Sequence, residues 1–196
     1  MKYLRKSFVD EGDDWFRAIG KAYLFVKEQL KRGNPYAAVM VEASLVEQSV
    51  RFLLGLGLVS TTNLEDDAEV AAMNMNLDAV WSGGFAKNIE RLSKSGLVSK
   101  GTITHLRKFK IMRNETTHLA FSGVSIRKAR RFVRSGTGIM DAVGNRIWIL
   151  IRRIDEGISD DNTRGVQRAA ILALFATRVN EAKALREWEK SQVDLE

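Results

Sequence analysis

Apolar residues recur every three to four positions along most of the chain, and no clear alternating stretch bounded by hairpin turns interrupts them. That spacing predicts helices packed by one face. A first helix, capped by Asp13 or Asp14, presents Phe16, Ile19, Tyr23, Val26 and Leu30 at helical spacing and stops near Gly33-Asn34. Pro35 then stands at a favoured helix start. The second helix is predicted from Tyr36 to Leu54, with Val39, Ala43, Val46, Val50, Leu53 and Leu54 inward, ended by Gly55 and Gly57 and antiparallel to the first. Thr62-Asn63 caps a short acidic helix over Leu64 to Met75. A further helix covers Phe85 to Ser95 and ends at Gly96, and Leu97-Val98 leads into another over Thr102 to Leu119, its stripe built from Ile103, Leu106, Phe109, Ile111 or Met112, and Leu119. Ser125 opens a basic segment reaching Arg134, which Gly136-Thr137-Gly138 is expected to break before a helix from Ile139 to about Ile154 that ends at Gly157. Asp160 or Asp161 caps a last amphipathic helix to about Lys190, with Val166, Ala170, Leu174, Val179, Ala182 and Leu185 near one face.

The expected class is therefore all-α, a bundle of about five to six helices. The 196 residues suit one domain, 1–196, with a core region over about 14–121 and additional helices over about 125–190. The absence of cysteine removes disulfides, thiolate zinc sites and thiol nucleophiles, and fits a reducing compartment. Ser7 to Asp14 contain no apolar run of the signal-peptide kind. The longest apolar runs, Phe52 to Val59 and Ile147 to Ile151, fall far short of the roughly 20 residues a membrane-spanning helix needs. A cytoplasmic protein without a membrane association is the expectation. There is no P-loop, no dinucleotide-binding glycine pattern and no histidine-rich metal spacing, so neither cofactor nor metal is expected. The cluster Glu65, Asp66, Asp67 and Glu69 reads as dipole partners in a first helical turn rather than as a metal site. Trp15, Trp81, Trp148 and Trp188 are expected to be packing anchors.

Charge changes the picture. The chain carries 31 Lys and Arg against 24 Asp and Glu, a formal net charge of +7. Gly101 to Arg153 alone hold twelve Lys and Arg against two acids, Glu115 and Asp141, for +10, which leaves −3 for the rest. Such a concentration fits a polyanion, because contacts to phosphates release counterions and supply most sequence-independent affinity for nucleic acid. Lys108, Lys110, Arg127, Lys128, Arg130, Arg131 and Arg134 are the candidate contacts. The other reading of the same residues is a solvated helix face, or a patch facing an acidic partner surface.

The most chemical stretch is Arg113-Asn114-Glu115-Thr116-Thr117-His118. A guanidinium grips phosphate oxygens, and an imidazole moves protons near neutral pH. Asn114 and His118, four residues apart, share a helix face. Arg113 and His118 are five apart, which on a regular helix separates them by roughly 140° and a rise of about 7.5 Å. For both to act at one atom, the helix deforms, the long arginine wraps round, or two chains pool residues across a dyad. His105, with no Arg-polar partner upstream, reads as structural or surface.

These residues resemble the HEPN superfamily, whose members carry an Arg, usually a polar residue directly after it, and a His after four to six residues. Arg113, Asn114 and His118 match, over a resemblance covering roughly Asp14 to Phe121, and the helix order is similar to that of several groups, including relatives of the mannitol-operon repressor. The resemblance implies a dimeric, metal-independent endoribonuclease of the toxin or antiviral-defence kind, in which the ribose 2′-OH attacks the adjacent phosphate to leave a 2′,3′-cyclic phosphate and a 5′-OH. It implies His118 as general acid or base, Arg113 as stabiliser of phosphorane charge, and Asn114 as an orienting group. Glu47 stands where many members carry an acidic residue on the second helix; pairing with Arg113 and pairing with Arg51 are both open, and Glu42 is nearby. Implied partners are RNA, a second copy of the chain, and an antitoxin or regulatory protein. Two other functions remain open: a non-catalytic HEPN module binding RNA, nucleotide or a regulatory protein, and a DNA-binding regulator using the basic segment.

Overall fold

The computed structural model of the chain describes residues 13–63, 66–118 and 123–157, with side chains over 19–63, 66–116 and 123–151. Among these the chain forms six α-helices and no strand: α1 (Asp13–Lys31), α2 (Pro35–Thr61), α3 (Asp67–Ser82), α4 (Phe85–Ser95), α5 (Lys100–His118) and α6 (Ile126–Gly157). The all-α expectation holds.

Local chemistry explains most boundaries. Gly33 takes a left-handed turn at φ 77° after α1, and Asn34 caps α2 by accepting from the Ala37 amide at 3.3 Å, with Pro35 at the first position. Gly96, at φ 67°, closes α4 in the same left-handed way. Ser99 accepts from the Thr102 amide at 3.1 Å, so α5 begins at Lys100, slightly before the expected Thr102.

Three expectations are corrected. Gly55 and Gly57 do not end α2, which runs on to Thr61. Both glycines are buried, and a Cβ at Gly57 would lie 2.6 Å from Leu97 Cδ1, so glycine here admits a neighbour. Burial of Phe52, Leu53, Leu54, Leu56 and Val59 around them outweighs a helix-propensity penalty of about 1 kcal/mol per glycine. The acidic helix begins later than Leu64 and is longer. Asp66 caps it, accepting from the Ala68 and Glu69 amides at 2.8 and 3.2 Å, while Glu69 reaches back to the Asn63 amide at 2.7 Å. Asp66 is thus the N-cap, and Glu69 ties the preceding turn to the helix through Asn63 rather than through the cap's own amide. Lastly, Gly136-Thr137-Gly138 breaks nothing, and α6 is one helix of 32 residues. Gly136 lies against α2, where a Cβ would meet the Glu42 side chain, with Cγ at 2.6 Å. The expected helix from about residue 160 to 190 lies outside the described residues, as do Leu119 and the side chains of Trp15 and Trp188. Trp81 packs partly buried against the core, and Trp148 is half-buried.

Helix α2 is the centre of the core, lying against α1, α3, α4, α5 and α6. Val133 clusters with Val26 and Ala38, Gly136 faces Glu42, and Met140 Sδ lies 3.1 Å from Ser49 Oγ, so α6 runs beside α2 in the same direction. Phe109 of α5, fully buried, stacks obliquely on Phe132 of α6 at 4.4 Å and meets Phe85 of α4 edge-on at 6.4 Å. The short link 119–125 then makes α5 and α6 an antiparallel hairpin, and α5 runs opposite to α2.

One buried acid stands out in this core. Glu42 is 1% exposed, and neither carboxyl oxygen has a hydrogen-bond partner among the described residues. Burial raises its pKa from the ordinary 4.5 to about 7, with a smaller opposing influence from Thr137. That hydroxyl donates to the Val133 carbonyl at 2.9 Å, so it offers Glu42 little, and burial governs. Gly136→Ala is expected to destabilise the fold by about 1 to 2 kcal/mol despite alanine's better helix propensity, because Glu42 Cγ must shift in a packed interface. Urea unfolding measures this, and a gain in stability would contradict the close packing described.

Candidate nucleic-acid site

Ile103, Leu106 and Phe109 define the buried face of α5, and Arg113 continues that face by one turn. This is why its guanidinium reaches α2 while the side chain stays partly exposed. Arg113 Nη2 lies 3.3 Å from Glu47 Oε2, with the Arg113 side chain 36% exposed and Glu47 15%. The other carboxylate oxygen, Oε1, accepts from Arg51 Nη2 at 2.8 Å. Both pairings open to Glu47 are therefore made at once. Glu42 takes no part, since it faces α6.

The open position in the α5 stripe falls to Met112, half-buried against the core, while Ile111 is exposed. Asn114 is exposed, and His105 is exposed as expected of a surface residue. His118 is described by its backbone: α5 stays helical through it, so the helix does not deform between Arg113 and His118. The angular separation of roughly 140° set by the spacing is kept along the backbone. Among the described residues no three His, Cys, Asp or Glu side chains gather as metal ligands.

The basic candidates fall on two helices. Arg127, Arg130, Arg131 and Arg134 follow one another at i, i+3, i+4 and i+7 on α6, all exposed, opposite the buried Phe132, Gly136, Ile139 and Val143. They form one cationic stripe, with Lys128 exposed to its side. On α5, Lys108 is exposed and Lys110 half-buried. Arg107, a neighbour not among the candidates, is engaged by Glu90 at 3.0 and 3.1 Å.

Behind Glu47 lies a network that sequence reasoning missed. Arg51 Nη2 also donates to the Gly83 carbonyl at 3.3 Å, and buried Asn88 donates to the same carbonyl at 3.2 Å and to Val80 O at 2.9 Å. Arg91 in turn donates to Asn88 Oδ1 at 2.8 Å. Gly83 has no room for a side chain: a Cβ would lie 2.5 Å from Arg91 Nη1 and 2.7 Å from Ala79 O. The only trace in the sequence is the Gly83-Gly84 pair between two helical patterns, which does not reveal what the turn holds. Comparison with protein-family models, curated proteins and solved structures gives no match. No helix among the described residues is long and apolar enough to cross a membrane.

Proposed function

We propose that the protein is a HEPN-type endoribonuclease of the toxin or antiviral-defence kind, acting as a homodimer on RNA without a metal. The observation that carries the reading is the placement of Arg113: one helix bears Arg113, Asn114 and His118, and its arginine is steered by Glu47 while the neighbouring helix displays a four-arginine stripe. In this reading His118 moves the proton of the 2′-OH or of the leaving 5′ oxygen, and Arg113 stabilises the charge that builds on the phosphorane. Asn114 orients the scissile phosphate or His118. In this reading a second copy supplies the residues that one chain turns away, and both copies line a twofold cleft; the helical path of α5 through His118 is what supports it over a deformed helix. The 2′-OH is the nucleophile, so DNA is not a substrate.

The test is incubation of labelled single-stranded RNA, and of DNA of the same sequence, with purified protein in EDTA; cutting of RNA alone is expected, and inert protein or cutting of both overturns the reading. The arginine stripe carries its own prediction. Arg130→Gln with Arg134→Gln should weaken RNA binding evenly across sequences and lower the slope of log affinity against log salt by about 1.4, at roughly 0.7 for each single-strand phosphate no longer neutralised. Filter binding at several salt concentrations measures it, and an unchanged slope would remove the stripe from the interface.

A second reading is a non-catalytic HEPN module that binds RNA, nucleotide or a regulatory protein, an antitoxin among them. The ion pair favours it to this extent: Arg113 already has a structural partner in Glu47. Binding without cleavage, unaffected by His118→Ala, would select it.

A further inference from the structure

Glu47 divides its two carboxylate oxygens between two arginines that are not equivalent. Arg51 lies on the same helix, is 16% exposed, and is tied by the same nitrogen to the Gly83 carbonyl at the α3 to α4 junction. Arg113 comes from another helix, stands at the longer distance of 3.3 Å, and is 36% exposed. An anion arriving from solvent therefore meets Arg113 first. A phosphate that draws Arg113 Nη2 away from Glu47 Oε2 takes one of the two cations from that carboxylate, and a carboxylate this buried is strongly disfavoured if left without any. Arg51 is the second cation on Glu47, held at 2.8 Å and also fixed by the Gly83 carbonyl.

We infer that Arg51 is a positioning residue: anchored at Gly83, it retains Glu47 so that Arg113 can be handed from Glu47 to an RNA phosphate. The inference rests on the proposed reading that RNA is the ligand. It assigns Arg51 no contact with substrate. Glu47 becomes a holder that aims Arg113 in the free protein and releases it in the complex, and the junction around Gly83 and Asn88 becomes the rigid end of the relay. Without Arg51, Arg113 is the one remaining cation on Glu47 among the described residues, and Glu47 grips it harder.

Two measurements test this. The first needs no RNA: the coupling between Glu47→Gln and Arg113→Gln is obtained from urea unfolding, once with Arg51 present and once in an Arg51→Met background. Handover predicts that the coupling, expressed as a factor in the unfolding constant, rises at least about threefold when Arg51 is absent. An unchanged or smaller coupling overturns it. The second uses labelled single-stranded RNA with His118→Ala protein, so that binding is read without cleavage. There Arg51→Met should weaken binding about tenfold, Arg51→Lys less, and Glu47→Gln added to Arg51→Met should restore binding to within about threefold, since no carboxylate then competes for Arg113. A loss that Glu47→Gln does not restore marks Arg51 as merely structural and overturns the inference. If no variant binds RNA, the functional reading fails, and the unfolding cycle alone decides whether Arg51 retains Glu47.

Discussion

His118→Ala and Arg113→Ala proteins are each expected to cut single-stranded RNA at least about 100-fold more slowly than the wild type, the lower end of what a positioned acid or base contributes. The two losses have different origins. His118 has no substitute nearby, since the other imidazole, His105, lies 13 residues earlier on the same helix, roughly 20 Å away along its axis. In the proposed reaction Arg113 holds charge as it develops, and Arg113→Lys should recover only part of the rate because a point charge cannot present two parallel donors. Folding is not at stake in the Arg113 substitution, because Glu47 keeps Arg51 at 2.8 Å. The expected stability change is within about 1 kcal/mol, so inactivity can be separated from unfolding. Single-turnover cleavage of end-labelled RNA in EDTA, beside urea unfolding of the same samples, measures both. Equal rates for wild type and both variants would show that the motif does no chemistry.

Glu42 should make the fold less stable as pH rises from about 4.5 to about 7, and then level off. Burial holds the folded-state pKa near 7 while the unfolded chain titrates at its ordinary 4.5. Below the lower value both states are protonated and no penalty exists. Between the two values the unfolded chain gives up its proton and the folded one keeps it, so stability falls; above the upper value both are ionised and the full penalty remains. The shift corresponds to about 3 kcal/mol at 1.36 kcal/mol per pKa unit. Glu42→Gln should abolish this dependence, while its buried amide keeps a constant cost of about 1 to 3 kcal/mol. Urea unfolding of wild type and Glu42→Gln from pH 5 to 8 reads the difference, which should be largest at the alkaline end. Parallel pH profiles for the two proteins would mean that Glu42 is solvated or partnered in solution.

Periodicity makes the helices and the inward faces legible because a helix hides one face and the apolar residues record which. Val39, Ala43, Val46, Val50, Leu53 and Leu54 are all buried as their spacing requires. Glycine is the misleading signal. At Gly33 and Gly96 it marks a left-handed turn, whereas at Gly57 and Gly136 it marks close packing inside a helix. Local sequence looks alike in the two cases, since the difference lies in what comes near from elsewhere in the chain. Asp66 reads from its neighbours as a first-turn acid and is the cap itself, one residue outside the helix. The candidate site is legible in its residue types and in the pairing options for Glu47, but not in their simultaneous use. That outcome depends on α5 running opposite to α2, so that one turn beyond Phe109 the buried stripe reaches Glu47. The Gly83 and Asn88 anchor depends on the turn between α3 and α4, which no periodicity encodes.

The proposed mechanism is cleavage of RNA through the RNA's own 2′-OH at a site built on Arg113 and His118. The most direct measurement compares a labelled RNA with the same molecule carrying one 2′-deoxy nucleotide at the cleaved position, incubated with wild-type protein in EDTA, with end-group analysis of the products. Under this mechanism the RNA yields 2′,3′-cyclic phosphate and 5′-hydroxyl ends, with no cut at the deoxy position. Cleavage at the deoxy position, 5′-phosphate ends, or intact RNA would contradict it.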